Sequence, residues 1–436
     1  MTSTTISSIL AWEALDSRGR PTVACSVTLA DGASGEAIVP SGASTGTHEA
    51  RELRDGGDRY DGKGVRTAVH NTNTVLAQSV IGLDATDQAS VDAALRAADG
   101  SADLGNLGAN AVLSISIATA IAAAAAQRLP LYRSVARPGE APLIPLPMVN
   151  ILSGGAHAGR SIDVQDFLAV PVSATSFAEA IEMCDRVRRG TADELAARGH
   201  SVALVADEGG LSAHLGSNRA ALEVIMAGIE RAGLLPGVQV GIAIDIAATQ
   251  LLTDDNRYRL AAEGDRLLDS AEFVEELTDW ANSYPIVSFE DALAEDDWQG
   301  WLLATDRLGG AQLLGDDLFV TNRSRLQRGI DASTANAVLV KPNQIGTLSD
   351  ARAVVDTAHG AGYRTVLSAR SGETEDSWLA DLAVGWRTGQ IKVGSTMRSE
   401  RTAKWNRLLR IEAELGEDAQ FAGAQAIRQA PPVSIA

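Results

Sequence analysis

Five short apolar runs in the second half of the chain each end in a charged residue, and no other feature restricts the fold as much. The runs are VGIAIDIA with Asp245, PIVSFEDA with Glu290, QLLGDDL with Asp316, AVLVKPNQIG with Lys341 and GQIKVGS with Lys392. Apolar runs of this length, bounded by turn residues, read as buried parallel strands covered on both faces. In a β/α barrel the C-terminal strand ends build the active site, with several strands contributing at once. A single Asp after a strand is most often the N-cap of the next helix, and a single Lys most often lies on the surface. Five charged residues tied to strand ends, spaced by about one βα unit after Glu290, do not fit that explanation. Three carboxylates at one mouth make an all-oxygen site for a hard divalent cation such as Mg²⁺. The two lysines facing it suggest a proton acceptor and an anion clamp.

The rest of the chain supplies a frame for such a barrel. Before residue 140, TVACSVTLADGASGEAIVP reads as alternating strands around a turn, and Ala-rich helical segments follow through Arg133. The Pro- and Gly-rich stretch ARPGEAPLIPLP reads as a linker. Beyond it, short apolar runs alternate with helical segments such as SFAEAIEMCDRVRRGTADELAARG, the pattern of βα units. The expected fold is therefore α/β, with an α+β capping domain over residues 1–138 and a β/α barrel over residues 139–436. The tail GEDAQFAGAQAIRQAPPVSIA reads as partly ordered at most.

Composition excludes some partners. A net charge of −19 would repel a nucleic acid instead of releasing its counterions. No stretch reads as long and apolar enough to span a bilayer, and the Ala-rich run from Ala118 to Ala126 reads as a packed helix. The N-terminal segment lacks the basic region and cleavage site of a signal peptide. With only Cys25 and Cys184 there is no disulfide framework, so a reducing cytoplasm is the expected compartment.

A collinear set of motifs adds a family resemblance over nearly the whole chain. ALDSRGRPTV, VPSGASTGTHEARELRDG, LGANAVLSISIA, PLPMVNILSGGAHAG, ADEGG, SFEDALAEDDW, GDDLFVTN, VKPNQIGT, SARSGETED and GQIKVGS follow one another in order. Together they resemble enolase, which interconverts 2-phosphoglycerate and phosphoenolpyruvate. The resemblance implies an enolase-type barrel with two Mg²⁺ ions per site, a small phosphorylated carboxylate as substrate, and a homodimer or higher homo-oligomer. It makes Asp245, Glu290 and Asp316 the ligands of the tightly bound ion, and Ser44 in SGASTG the residue joining the second when that loop closes. Lys341 resembles the base that removes the C2 proton, its pKa lowered by desolvation and metal charge. Lys392 resembles the clamp on the substrate carboxylate, and Glu208 the acid that helps the 3-hydroxyl leave, separated in protonation from Asp207 by like-charge repulsion. His157, Gln165 and Asp166 resemble substrate-contacting residues. Arg370 and Ser371 resemble the phosphate site, where a guanidinium forms bidentate contacts.

Two departures bear on the reaction. Ala369 stands where enolases typically have His before Arg-Ser-Gly-Glu-Thr, and Asp166 stands where they typically have Glu. Arg160 and Pro342 also depart, and read as neutral drift. Losing an imidazole beside the phosphate site removes a potential cation and opens volume. The resemblance therefore implies an enolase-type elimination, with two alternatives. One is a carboxyphosphonoenolpyruvate synthase of phosphonate or phosphinate biosynthesis, as enolase-like paralogues in such pathways are. The other is a non-catalytic paralogue with a binding role, which the retained acids and lysines disfavour.

Overall fold

The structure is a computed structural model, described over residues 3–42 and 46–427. The N-terminal part opens with an antiparallel meander of β1 (Ile6–Leu15), β2 (Pro21–Leu29) and β3 (Ser34–Ile38). Helix α1 (Gln88–Asp99) follows, capped by the Asp87 carboxylate on the Ser90 N–H and ended by left-handed Gly100. Helix α2 (Ala109–Ala126) then lies across the meander. It approaches so closely that a Cβ on Gly35 would sit 2.3 Å from both Ala118 O and Ala122 N. Small residues on the helix and glycine on the strand permit that contact. By length and composition α2 could cross a membrane, contrary to the sequence expectation, but 83% of its apolar window is buried inside the protein. It is a core helix. Cys25 and Cys184 are buried free thiols, as expected without disulfides.

The second part is a closed eight-stranded barrel. Its strands are β4 (Leu146–Ser153), β5 (Asp166–Val170), β6 (Gly241–Asp245), β7 (Ile286–Glu290), β8 (Gln312–Gly315), β9 (Ala337–Val340), β10 (Arg364–Ser368) and β11 (Gly389–Gly394). Each pairs with the next, and β11 pairs with β4 to close the ring. One strand corrects the all-parallel expectation. β5 runs antiparallel to both β4 and β6. The chain makes a hairpin there, and two consecutive helices, α3 (Phe177–Ala197) and α4 (Asn218–Arg231), precede β6. Single helices then connect most of the remaining strands, ending with α5 (Ser399–Leu415) after β11. Reversal places the first residue of β5 at the mouth where other strands end: Asp166 pairs with Asp245.

Two-residue periodicity explains why these runs carry function at their ends. Leu146, Met148, Leu168, Ala243, Leu314, Leu339 and Val366 form a separate apolar cluster, filling the barrel floor. Two residues beyond Ala243, Leu314 and Leu339, the same inward row reaches Asp245, Asp316 and Lys341. The alternate row, including Ile244, Phe289, Leu313, Val340 and Ile391, packs in the larger core with the helices. Both faces are buried, so the runs read as continuously apolar. Residues Gln420–Phe421 pair with Leu143–Ile144, which ties down the first part of the tail.

Candidate active site at the barrel mouth

Asp245, Glu290 and Asp316 come from three adjacent strands, and Glu290 is in register with Asp245. All three are buried. Lys392 reaches across from β11, its Nζ 2.7 Å from Asp245 Oδ2 and 2.8 Å from each oxygen of Glu290. Lys341 Nζ bonds Asp316 Oδ2, while Gln344 Nε2 donates to the other oxygen at 2.8 Å. Two ammonium groups thus partly neutralise three carboxylates. Burial first, then the charges of Asp245 and Asp316, push the Glu290 carboxyl well above its ordinary value despite Lys392. An additional cation would relieve that repulsion, and an all-oxygen donor set suits Mg²⁺. The three residues fit the metal on this chemistry.

They are not preassembled as a compact cage. Among the described residues, the acid and imidazole groups whose ligand atoms lie within 4.8 Å of one another are His157–Asp166–Glu208 and Asp291–Asp316–Asp317. The lysines explain the difference, since they stand among the metal-trio carboxylates. Asp291 has a local structural job. Its carboxylate accepts the N–H groups of Asp316 and Asp317 at 2.9 and 2.8 Å, fixing the turn that presents Asp316. Burial and then Asp316 raise Asp317 to about 8.

The lowering expected for Lys341 counts on the charge of a bound metal. Burial presses Lys341 down, and Arg370 and Lys392 add to it, but Asp316 and Glu290 outweigh them, so the ammonium titrates above its ordinary value. Glu208 shows a reversal. Burial raises its carboxyl, yet His157, Arg401 and Lys392 more than offset this and bring it below the ordinary value. Those cations, instead of repulsion from Asp207, set its charge. Gly210 admits this segment because a Cβ there would lie 2.5 Å from Asn150 Oδ1 and 2.6 Å from Ser153 Oγ.

Asp166 faces the same Asn150 and Ser153. Its Oδ1 accepts from Asn150 Nδ2 at 2.5 Å and Ser153 Oγ at 2.7 Å, and its Oδ2 meets His157 Nδ1 at 2.8 Å. The Asp166 side chain is fully buried among these partners. Burial opposes a charge on His157, but Asp166 overcomes it and lifts the imidazole to about 9. Gln165 donates to Asp245 Oδ2 at 3.2 Å and accepts from Gln250 at 3.0 Å.

On the other side, Arg370 is buried and paired with Glu49 at 3.1 and 3.2 Å, and donates to Asn343 Oδ1 at 2.9 Å. Ser371 is buried beside it. Ser44 lies outside the described residues, but Gly46 and Thr47 just after it sit on the barrel. The Thr47 N–H and hydroxyl donate to Glu295 at 2.9 and 2.7 Å. Sequence reading gave no role to Glu49, Glu295, Asn343, Gln344 or Asp291. Glu49 lay inside a quoted motif, but its partner Arg370 is 321 positions away. A cleft of about 910 Å³ at this junction is lined by Arg18, Arg20, Arg51, Arg54, Lys63 and Arg398, and also by Glu49, Glu52, Asp103 and Asp207. In a chain of net charge −19, cations outnumber carboxylates in this lining, although several of the arginines are ion-paired.

A closed barrel with a reversed second strand, an α+β cap, and facing acids and lysines at its mouth together define a capped β/α-barrel protein. Two family models match the chain: one described as "Enolase, N-terminal domain" over residues 6–135, and one described as "Enolase, C-terminal TIM barrel domain" over residues 141–430. The chain belongs to the enolase family. That membership brings lyase-type chemistry of the enolase superfamily and a family that is generally Mg²⁺-dependent.

Proposed function

We propose that the protein catalyses Mg²⁺-dependent loss of water from 2-phosphoglycerate to give phosphoenolpyruvate. The observation that carries this reading is the pair of buried lysines facing three strand-end carboxylates, with Arg370 at the edge of the same mouth. When bound by Asp245, Glu290 and Asp316, Mg²⁺ supplies the positive charge that stabilises the dianion formed next to a carboxylate. With that charge offsetting Asp316 and Glu290, Lys341 would be free to take the C2 proton onto Nζ. The electron pair left at C2 forms the double bond to C3, and the C3–O bond breaks. Glu208 passes a proton from the neighbouring His157 to the departing hydroxyl, which leaves as water. Lys392 holds the carboxylate, and Arg370 with Ser371 holds the phosphate by charge-assisted hydrogen bonds. Ser44 would join a second Mg²⁺, and the working form is a cytoplasmic homodimer or higher homo-oligomer. A coupled assay for phosphoenolpyruvate, with and without Mg²⁺, tests the reading; no product from 2-phosphoglycerate at saturating Mg²⁺ contradicts it.

A second reading has its own support. Ala369 is buried next to Arg370, and its N–H donates to Lys392 O at 2.9 Å, so the vacated imidazole position adjoins both proposed anion clamps. A carboxyphosphono group is larger than a phosphate and would use that volume. In this reading the proton chemistry of Lys341 is kept, and the product is an analogue of phosphoenolpyruvate.

A further inference from the structure

Two cations sit one turn apart near the start of α5, and both are sealed from solvent: Arg401 is 0% exposed and Lys404 1%. Their hydrogen bonds converge on a single segment, Arg370–Thr374. Arg401 Nη1 donates to Arg370 O at 2.7 Å and Val393 O at 3.0 Å, and Nη2 donates to Ser371 O at 2.6 Å. Lys404 Nζ donates to Thr374 O at 2.5 Å and lies 2.7 Å from Glu373 Oε2. From the opposite side, Ser17 Oγ donates to Ser371 O at 3.2 Å, and Gly372 exchanges backbone hydrogen bonds with Ser41, each 2.9 Å.

A guanidinium buried this deeply must use its N–H groups or pay a heavy desolvation cost. Arg401 uses both terminal nitrogens on main-chain carbonyls, and its planar fork fixes two successive carbonyls relative to each other. The strand that carries Lys392 accommodates the stem: a Cβ on Gly394 would lie 2.9 Å from Arg401 Cδ. Glu49 and Asn343 hold the Arg370 side chain, while Arg401 holds the backbone on which that side chain and Ser371 stand.

We propose that Arg401 is a positioning residue of the anion site, holding the Arg370 and Ser371 carbonyls so that their side chains are presented together to the phosphorus-bearing group. This rests on reading Arg370 and Ser371 as the phosphate ligands. Arg407, on the same helix, serves as a control, because it pairs with Asp381 at 2.6 and 2.8 Å instead of the loop. The experiment measures binding of inorganic phosphate to the full-length, Mg²⁺-loaded protein by calorimetry, together with KM, kcat and the thermal midpoint. Arg401→Lys, which keeps charge but loses the fork, should weaken phosphate binding by roughly tenfold, the scale of one lost charge-assisted hydrogen bond. Arg401→Met should lose more, KM should rise more than kcat falls, and Arg407→Ala should lower the thermal midpoint while leaving phosphate binding alone. Arg370→Ala should lose phosphate binding as the reference. If Arg370→Ala weakens binding but folded Arg401→Lys and Arg401→Met bind phosphate like wild type, Arg401 is a stability residue and the inference is overturned. If Arg370→Ala itself binds phosphate normally, the site reading fails and takes the inference with it.

Discussion

Lys392 Nζ lies 2.8 Å from both carboxylate oxygens of Glu290, although the two residues end strands on opposite sides of the barrel. The lysine spans the mouth and takes the place of positive charge that the acid requires. Under the proposed function Asp245, Glu290 and Asp316 would hold Mg²⁺, which would supply that charge and leave Lys392 available to the substrate carboxylate.

Glu290→Gln should abolish Mg²⁺-dependent turnover, because one ligand oxygen becomes a poor amide donor for a hard cation. Mg²⁺ affinity by calorimetry should fall in parallel, with little change in the far-ultraviolet circular dichroism. Wild-type turnover in this variant would contradict the assignment.

The His157–Asp166 pair makes stability depend on pH. The imidazole is lifted from 6.5 to about 9, so its contribution is fully present below pH 6.5 and is lost as pH rises through about 9. The loss should be on the order of 1–3 kcal/mol, from the linkage of a shift of this size in a coupled pair. Denaturant unfolding across pH 6.5–9 should show this decline in wild type and a flatter profile in His157→Asn. Identical profiles would mean that the pair does not carry the charge.

Gly35→Ala tests the close approach of β3 to α2. A methyl group 2.3 Å from two backbone atoms must displace strand or helix. The expected loss is about 1–3 kcal/mol or more by overpacking, read from the unfolding midpoint. An unchanged midpoint would show that the contact is looser than described.

Ala369→His separates the two substrate readings. If the missing imidazole only weakens an ordinary enolase, the change should raise kcat/KM for 2-phosphoglycerate by about tenfold to a hundredfold, the value of one charge-assisted hydrogen bond of roughly 1.5–3 kcal/mol. If the space serves a larger phosphorus group, the same change should impair the native reaction. Ordinary turnover of 2-phosphoglycerate by wild type, with no effect of Ala369→His, would remove any special meaning from Ala369.

The strand ends were legible because a barrel interior keeps a period of two: Ala243 to Asp245 and Leu339 to Lys341 each continue one inward row. The direction of β5 was not, since the short run DFLAV has the same pattern read either way and only pairing with β4 and β6 reveals the reversal. Helix α2 was legible as a packed helix from its alanines, while its capacity by length and composition to span a membrane was overlooked. The charge states were the least legible. The directions for Lys341 and Glu208 follow from Asp316, His157 and Arg401, whose proximity is set by the tertiary fold. The same holds for the Arg401 contacts, since a lone buried arginine in RSERTAK gives no sign of which carbonyls it meets.

The central claim is that Lys341 takes the C2 proton, and exchange of that proton with solvent deuterium tests it most directly. Wild type with Mg²⁺ should exchange the C2 proton of 2-phosphoglycerate, and Lys341→Ala should lose at least the roughly 10²–10⁴-fold that a positioned base supplies, while still binding Mg²⁺. Exchange at the wild-type rate in Lys341→Ala would contradict the account and pass the role of base to Lys392.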